Sequence, residues 1–110
     1  MGKPNFQRTT IARINAAAPH LKFVAFYHAD EDRIKACMNG YKHRSFVYIL
    51  SVDHEDSEVY LYAGKSKSQY SRFISHLAKF AFDHIYLFEC LPEQLTESEA
   101  AVIQELCPDV

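Results

Sequence analysis

Apolar and polar positions alternate most cleanly in the middle of the chain. Residues 46–52 read as a strand, with Tyr48 on one face and Val47 and Ile49 on the other. A polar turn over 53–57 separates it from a second strand over 58–63, which predicts a hairpin with a five-residue loop. Gly64 ends that strand. Ser66 or Ser68 then caps a helix that runs to about Phe80, with Phe73, Leu77 and Phe80 as its buried stripe. Residues 84–90 form a third strand, which Leu91-Pro92 breaks. Thr96 opens a last helix, and Pro108 stops it.

The pattern before Ser45 is less regular. Residues 1–8 read as a loose leader. Thr9 or Thr10 caps a short helix through Ile11 and Ile14 to Ala18, where Pro19 ends it. Residues 21–27 are apolar and aromatic, which suits a strand. Asp30 opens a second short helix through Ile34 and Cys37, closed by Asn39-Gly40. The expected fold class is α+β. Residues 1–44 are a helix–strand–helix extension, and 45–110 are one small domain with a three-stranded antiparallel sheet flanked by helices. The extension does not have the order of a helix-turn-helix.

A length of 110 residues suits one domain, not two. Seven tyrosines and eight phenylalanines supply bulk for a modest core. No apolar run approaches the roughly 20 residues that span a bilayer, and no signal-peptide core is present at the start. Cys37, Cys90 and Cys107 form no CxxC pair, so reduced thiols and a cytoplasmic location are expected, with no membrane partner.

Net charge is −2, which by itself disfavours nucleic acid. Its distribution changes that picture. Residues 59–82 contain no Asp or Glu but hold Lys65, Lys67, Arg72 and Lys79. Residues 83–110 hold seven acids and no Lys or Arg. A local basic surface can grip a phosphate backbone despite an unfavourable total. Lys65, Lys67 and Lys79 are the candidates for that contact, although four charges also suit a solvated helix face.

Within the same stretch lie Tyr48, Tyr62, Arg72, His76 and Glu99. A phenol, a guanidinium, an imidazole and a carboxylate are the groups that phosphodiester hydrolysis needs. Glu99 can give a hard oxygen to Mg²⁺, which keeps most of its waters. Arg72 offers a planar fork to phosphate oxygens. Arg72 and His76 are four apart and share a helix face. Tyr48 could serve as a base only if its pKa fell well below about 10, and Lys65 is a candidate for the nearby positive charge this needs. Each residue also has a plainer role. The tyrosines suit strand packing, His76 a helix surface, and Glu99 a capping box with Thr96. Gly64-Lys65-Ser66 ends like a P-loop but lacks the earlier glycine, since Val59 stands there. No cysteine and histidine spacing suggests zinc.

In order and spacing, the set resembles the GIY-YIG nuclease superfamily over residues 46–110, about 60% of the chain. Tyr48 matches the tyrosine that ends the first motif, and Tyr62 and Gly64 match the second. Arg72 and His76 match the helix pair. Glu99 matches the metal-binding glutamate. The first motif departs from the family, with Phe46 where the glycine stands, and the second reads Tyr-Ala-Gly. The Asn that often follows the family's last proline has no counterpart before Val110, so the chain is expected to be a fragment of a longer protein.

The resemblance implies a DNA endonuclease using one Mg²⁺ or Mn²⁺ held by Glu99. Tyr48 would act as base or lie beside the water, and Tyr62 would orient it. Arg72 would steady the phosphate, and His76 would aid proton transfer. A module of this size is expected to use an attached DNA-binding domain or a homodimer for specificity. The alternative is a non-catalytic nucleic-acid or protein interaction module that keeps the fold.

Overall fold

The computed structural model describes residues 6–28, 32, 34, 44–55, 57–67, 75, 78–79 and 81–107. The elements are helix α1 (Phe6–Ala17), strands β1 (Lys22–His28), β2 (Phe46–His54), β3 (Ser57–Ser66) and β4 (His84–Glu89), a 3₁₀ turn (Pro92–Gln94) and helix α2 (Leu95–Leu106). The class is α+β, as the sequence predicts. The four strands make one sheet in the order β1-β4-β2-β3, and every pairing is antiparallel.

The sheet therefore has four strands where three were expected. The fourth, β1, comes from the segment read as an extension and pairs with β4 from Lys22↔Glu89 to His28↔His84. The physical reason lies in β4. Ile85, Tyr86, Leu87 and Phe88 form an unbroken apolar run, and all four are at most 1% exposed. A strand buried on both faces needs a neighbour on each edge, and β2 alone fills only one.

Alternation sorts the core into two layers. Val47, Ile49, Tyr86 and Phe88 face α1 and α2 and pack with Ile14, Ala18, Val102 and Leu106. Phe46, Tyr48, Leu50, Ile85 and Leu87 face the other way, and Ile34 is buried among them. The expected split of Tyr48 from Val47 and Ile49 is thus observed.

Several boundaries differ from the sequence reading. Helix α1 begins at Phe6, so Thr10 lies inside it, 1% exposed, rather than capping it. The hairpin is tighter than expected: pairing continues to His54↔Ser57, and Glu55 takes a left-handed φ of 53°. Ser66 belongs to β3 and does not cap a helix. Helix α2 starts at Leu95, after the 3₁₀ turn, and Gln94 reaches back to accept from the Leu91 N–H at 3.4 Å. Thr96 is therefore inside α2. The short helix expected after Asp30 and the helix expected to run to Phe80 lie mostly outside the described residues.

Candidate functional site

The site is organised by β3, an outer strand of the sheet. By strict alternation Tyr60 and Tyr62 would share a face. They do not, because the β2–β3 register shifts between Leu50 and Ser51, so that Leu50 pairs with Tyr62 and Ser51 with Tyr60. Leu61 is the extra residue of a bulge. The shift turns Tyr62 towards Tyr48, their ring centroids 5.9 Å apart. Tyr60 turns to the helix-covered face.

Gly64 stands directly opposite Tyr48. A Cβ on Gly64 would lie 2.7 Å from the Tyr48 hydroxyl oxygen and 2.7 Å from the Tyr62 ring. The glycine is required because the Tyr48 phenol leans across its backbone, reaching from the central strand to the sheet's edge. Tyr48 itself is 1% exposed.

One residue on, Lys65 faces the α2 side. Its Nζ donates to Thr96 Oγ1 at 3.1 Å and lies 3.7 Å from Glu99 Oε1. Glu99 is thus next to a lysine of the edge strand, two residues beyond Glu97, the position where a capping glutamate would act. The structure groups Tyr48, Tyr62 and Gly64 on one face of β3, and Lys65, Thr96 and Glu99 on the other. The two groups adjoin where Gly64 meets Lys65. Lys67 is exposed just after β3, and Lys79 is also exposed. Arg72 and His76 lie outside the described residues.

No family model, curated protein or solved structure matches this chain.

Among the described residues there is no cluster of three His, Cys, Asp or Glu side chains poised for a metal. Glu99 supplies one partly shielded carboxylate beside a hydroxyl. That donor set fits Mg²⁺, which accepts one or two carboxylates and keeps several waters, and does not fit zinc.

The sequence reading missed a second polar group, under α1. Glu58 accepts hydrogen bonds from Thr10 at 2.6 Å, Ser51 at 2.8 Å and Tyr86 at 2.7 Å. Thr10 gives its one proton to Glu58, so Tyr60 donates to Thr10 at 2.6 Å. The Arg13 guanidinium lies over the Tyr60 ring and also holds Glu105, which ties α1 to α2. The only sequence signal was an acid at the start of an apolar strand; its partners lie up to 48 positions away.

This network has a pH signature. Burial, then the hydrogen bond and charge of Glu58, push the Tyr86 phenol well above its ordinary range. Burial also raises the Tyr60 phenol. The folded chain keeps phenolic protons that the unfolded chain loses near pH 10. Their stabilisation is complete below that pH and is lost as pH rises through it. Urea midpoints should therefore fall steeply above about pH 10. Tyr86→Phe should flatten the fall; an unchanged slope would separate the network from alkaline unfolding.

Proposed function

We propose that the chain hydrolyses nucleic-acid phosphodiesters as a metal-dependent nuclease of GIY-YIG type, with DNA as the expected substrate. The observation that carries this reading is the crossing at Gly64. A glycine on an outer strand lets two phenols lie over its backbone, and the next residue carries a cation that meets a helix carboxylate. Gly64 lies bare beneath the Tyr48 hydroxyl, and Lys65 reaches both Thr96 and Glu99.

In this reading Glu99 would hold Mg²⁺ or Mn²⁺, which would supply positive charge for the phosphoryl oxygens. Lys65 exchanges its carboxylate partner for a backbone phosphate. Near-complete burial of Tyr48 favours orienting the attacking water over passing a proton to solvent, with Tyr62 as the more open phenol beside it. Arg72 and His76 keep their proposed roles in gripping the phosphate and moving a proton.

A second reading, a non-catalytic interaction module, draws on two observations. Tyr48 is closed to solvent, and Glu99 already has Lys65 as its ionic partner. Plasmid nicking in Mg²⁺ or Mn²⁺ separates the readings. The chain should nick DNA only with the metal, and Glu99→Gln should abolish nicking while leaving thermal unfolding nearly unchanged. A Gln variant as active as the parent would remove Glu99 from the chemistry. A parent protein that binds DNA yet never nicks it would favour the interaction module.

A further inference from the structure

One residue row crosses the whole sheet: Lys22 on β1 pairs with Glu89 on β4, Glu89 with Phe46 on β2, and Phe46 with Ser66 on β3. Neighbouring strands are about 4.8 Å apart, so Lys22 lies about 14 Å across the sheet from Ser66, the neighbour of Lys65. Running along this end of the sheet, from β1 to the residues before β2, is a cavity of about 440 Å³, lined by His20, Lys22, Arg44, Glu89, Leu91 and Gln94 among others. Its volume is within the range of small-molecule sites, roughly 300–1,000 Å³.

The lining has two characters. Arg44 is gripped by Glu89, with Nη2 2.7 Å from Oε1 and Nε 2.5 Å from Oε2, which aims its guanidinium. Lys22 is exposed and makes no ion pair among the described residues. Leu91, 57% exposed, and Gln94 also line it. The wall beneath is tied down. His20 Nε2 lies 2.5 Å from Ser98 Oγ, which donates to the Gln94 carbonyl at 2.7 Å. Lys22 and Arg44, together with an apolar ledge beside an amide, suit the phosphate and base of a nucleotide unit.

We propose that this cavity is a second nucleic-acid contact, built by the start of β1, the residues just before β2, and the end of β4 with the turn that follows it. It takes one nucleotide of the same substrate, with its phosphate at Lys22 and Arg44 and its sugar and base against Leu91 and Gln94. Along a duplex that advances about 3.4 Å per base, the Lys22 contact falls about four base steps from the Ser66 end of β3. The proposal rests on the phosphodiester reading and adds where the flanking strand is held.

The test is fluorescence anisotropy with labelled duplex DNA in EDTA, so that no cleavage is needed. On a duplex of about 16 base pairs, Lys22→Gln should weaken binding several-fold and lower the salt slope by about 0.9, the value of one phosphate contact. Leu91→Ala should weaken binding without changing the slope. On a duplex of about four base pairs, too short to reach from the Ser66 end of β3 to Lys22, the Lys22 effect should vanish while that of Lys65→Gln persists. Wild-type affinity of the Lys22 and Leu91 variants, beside a weakened Lys65 variant, overturns the cavity contact and leaves the nuclease reading standing. Equal Lys22 losses on both duplexes overturn the assigned position. A parent protein that binds neither duplex overturns both.

Discussion

Glu58→Leu should leave the chain largely unfolded at physiological temperature. The leucine fits beside Tyr60 and Tyr86, so shape is not the difficulty. The difficulty is that Ser51 and Tyr86, both 0% exposed, lose their acceptor, and Thr10, 1% exposed, loses its own. Each orphaned buried hydroxyl costs about 1–3 kcal/mol, against a total stability of about 5–15 kcal/mol for a domain. Thr10 is also the polar attachment of α1 to the sheet, so the helix should loosen first. Glu58→Gln keeps one carbonyl acceptor and should cost less. A urea titration of both variants measures the difference, and Tyr86→Phe supplies the control. Combined with Glu58→Leu, it removes a hydroxyl that would otherwise be stranded, so the double variant should lose less than the sum of the two single losses. Strict additivity would show that Glu58 and Tyr86 are not coupled.

Gly64→Ala should cost about 1–3 kcal/mol, the range for forcing atoms into a packed site, and should disable nicking at temperatures where the protein stays folded. The new methyl would sit 2.7 Å from the Tyr48 oxygen and the Tyr62 ring. Tyr48 cannot swing aside, because it is closed in by Phe46, Leu50 and Leu87. Adding Tyr48→Phe removes the oxygen but not the ring carbon 2.8 Å away, so it should restore part of the stability and none of the activity. Thermal unfolding and single-turnover nicking on the same samples test both halves. Gly64→Ala with parental stability would show that the phenol does not lie over the glycine in solution. Full nicking by a stable Gly64→Ala variant would place the chemistry elsewhere.

Local patterning carried much of the fold. The strands at β2, β3 and β4 and the last helix were legible because period-two and helical spacing are properties of neighbouring residues. The faces of Tyr48, Val47 and Ile49 followed from the same rule. Boundaries were less legible. Thr10 and Thr96 look like caps in sequence, yet both hydroxyls are engaged across the fold, by Glu58 and Lys65. A capping residue and a tertiary hydrogen-bonding residue are the same side chain until the partner is known.

The sequence by itself determined an α+β chain and the placing of Lys65 and Lys67 just after Gly64. Tertiary structure alone decided three further things. The first strand became the sheet's outer neighbour of β4, because a strand apolar on both faces must be paired on both edges. The bulge at Leu61 set Tyr62 beside Tyr48 and Tyr60 beside Thr10, because one inserted residue inverts the faces of everything before it. Glu58 gathered its hydroxyls, and Lys22 and Arg44 their cavity, from distant parts of the chain. Such contacts depend on strand order and register, and those are settled by burial summed over the whole sheet rather than by any local run of residues.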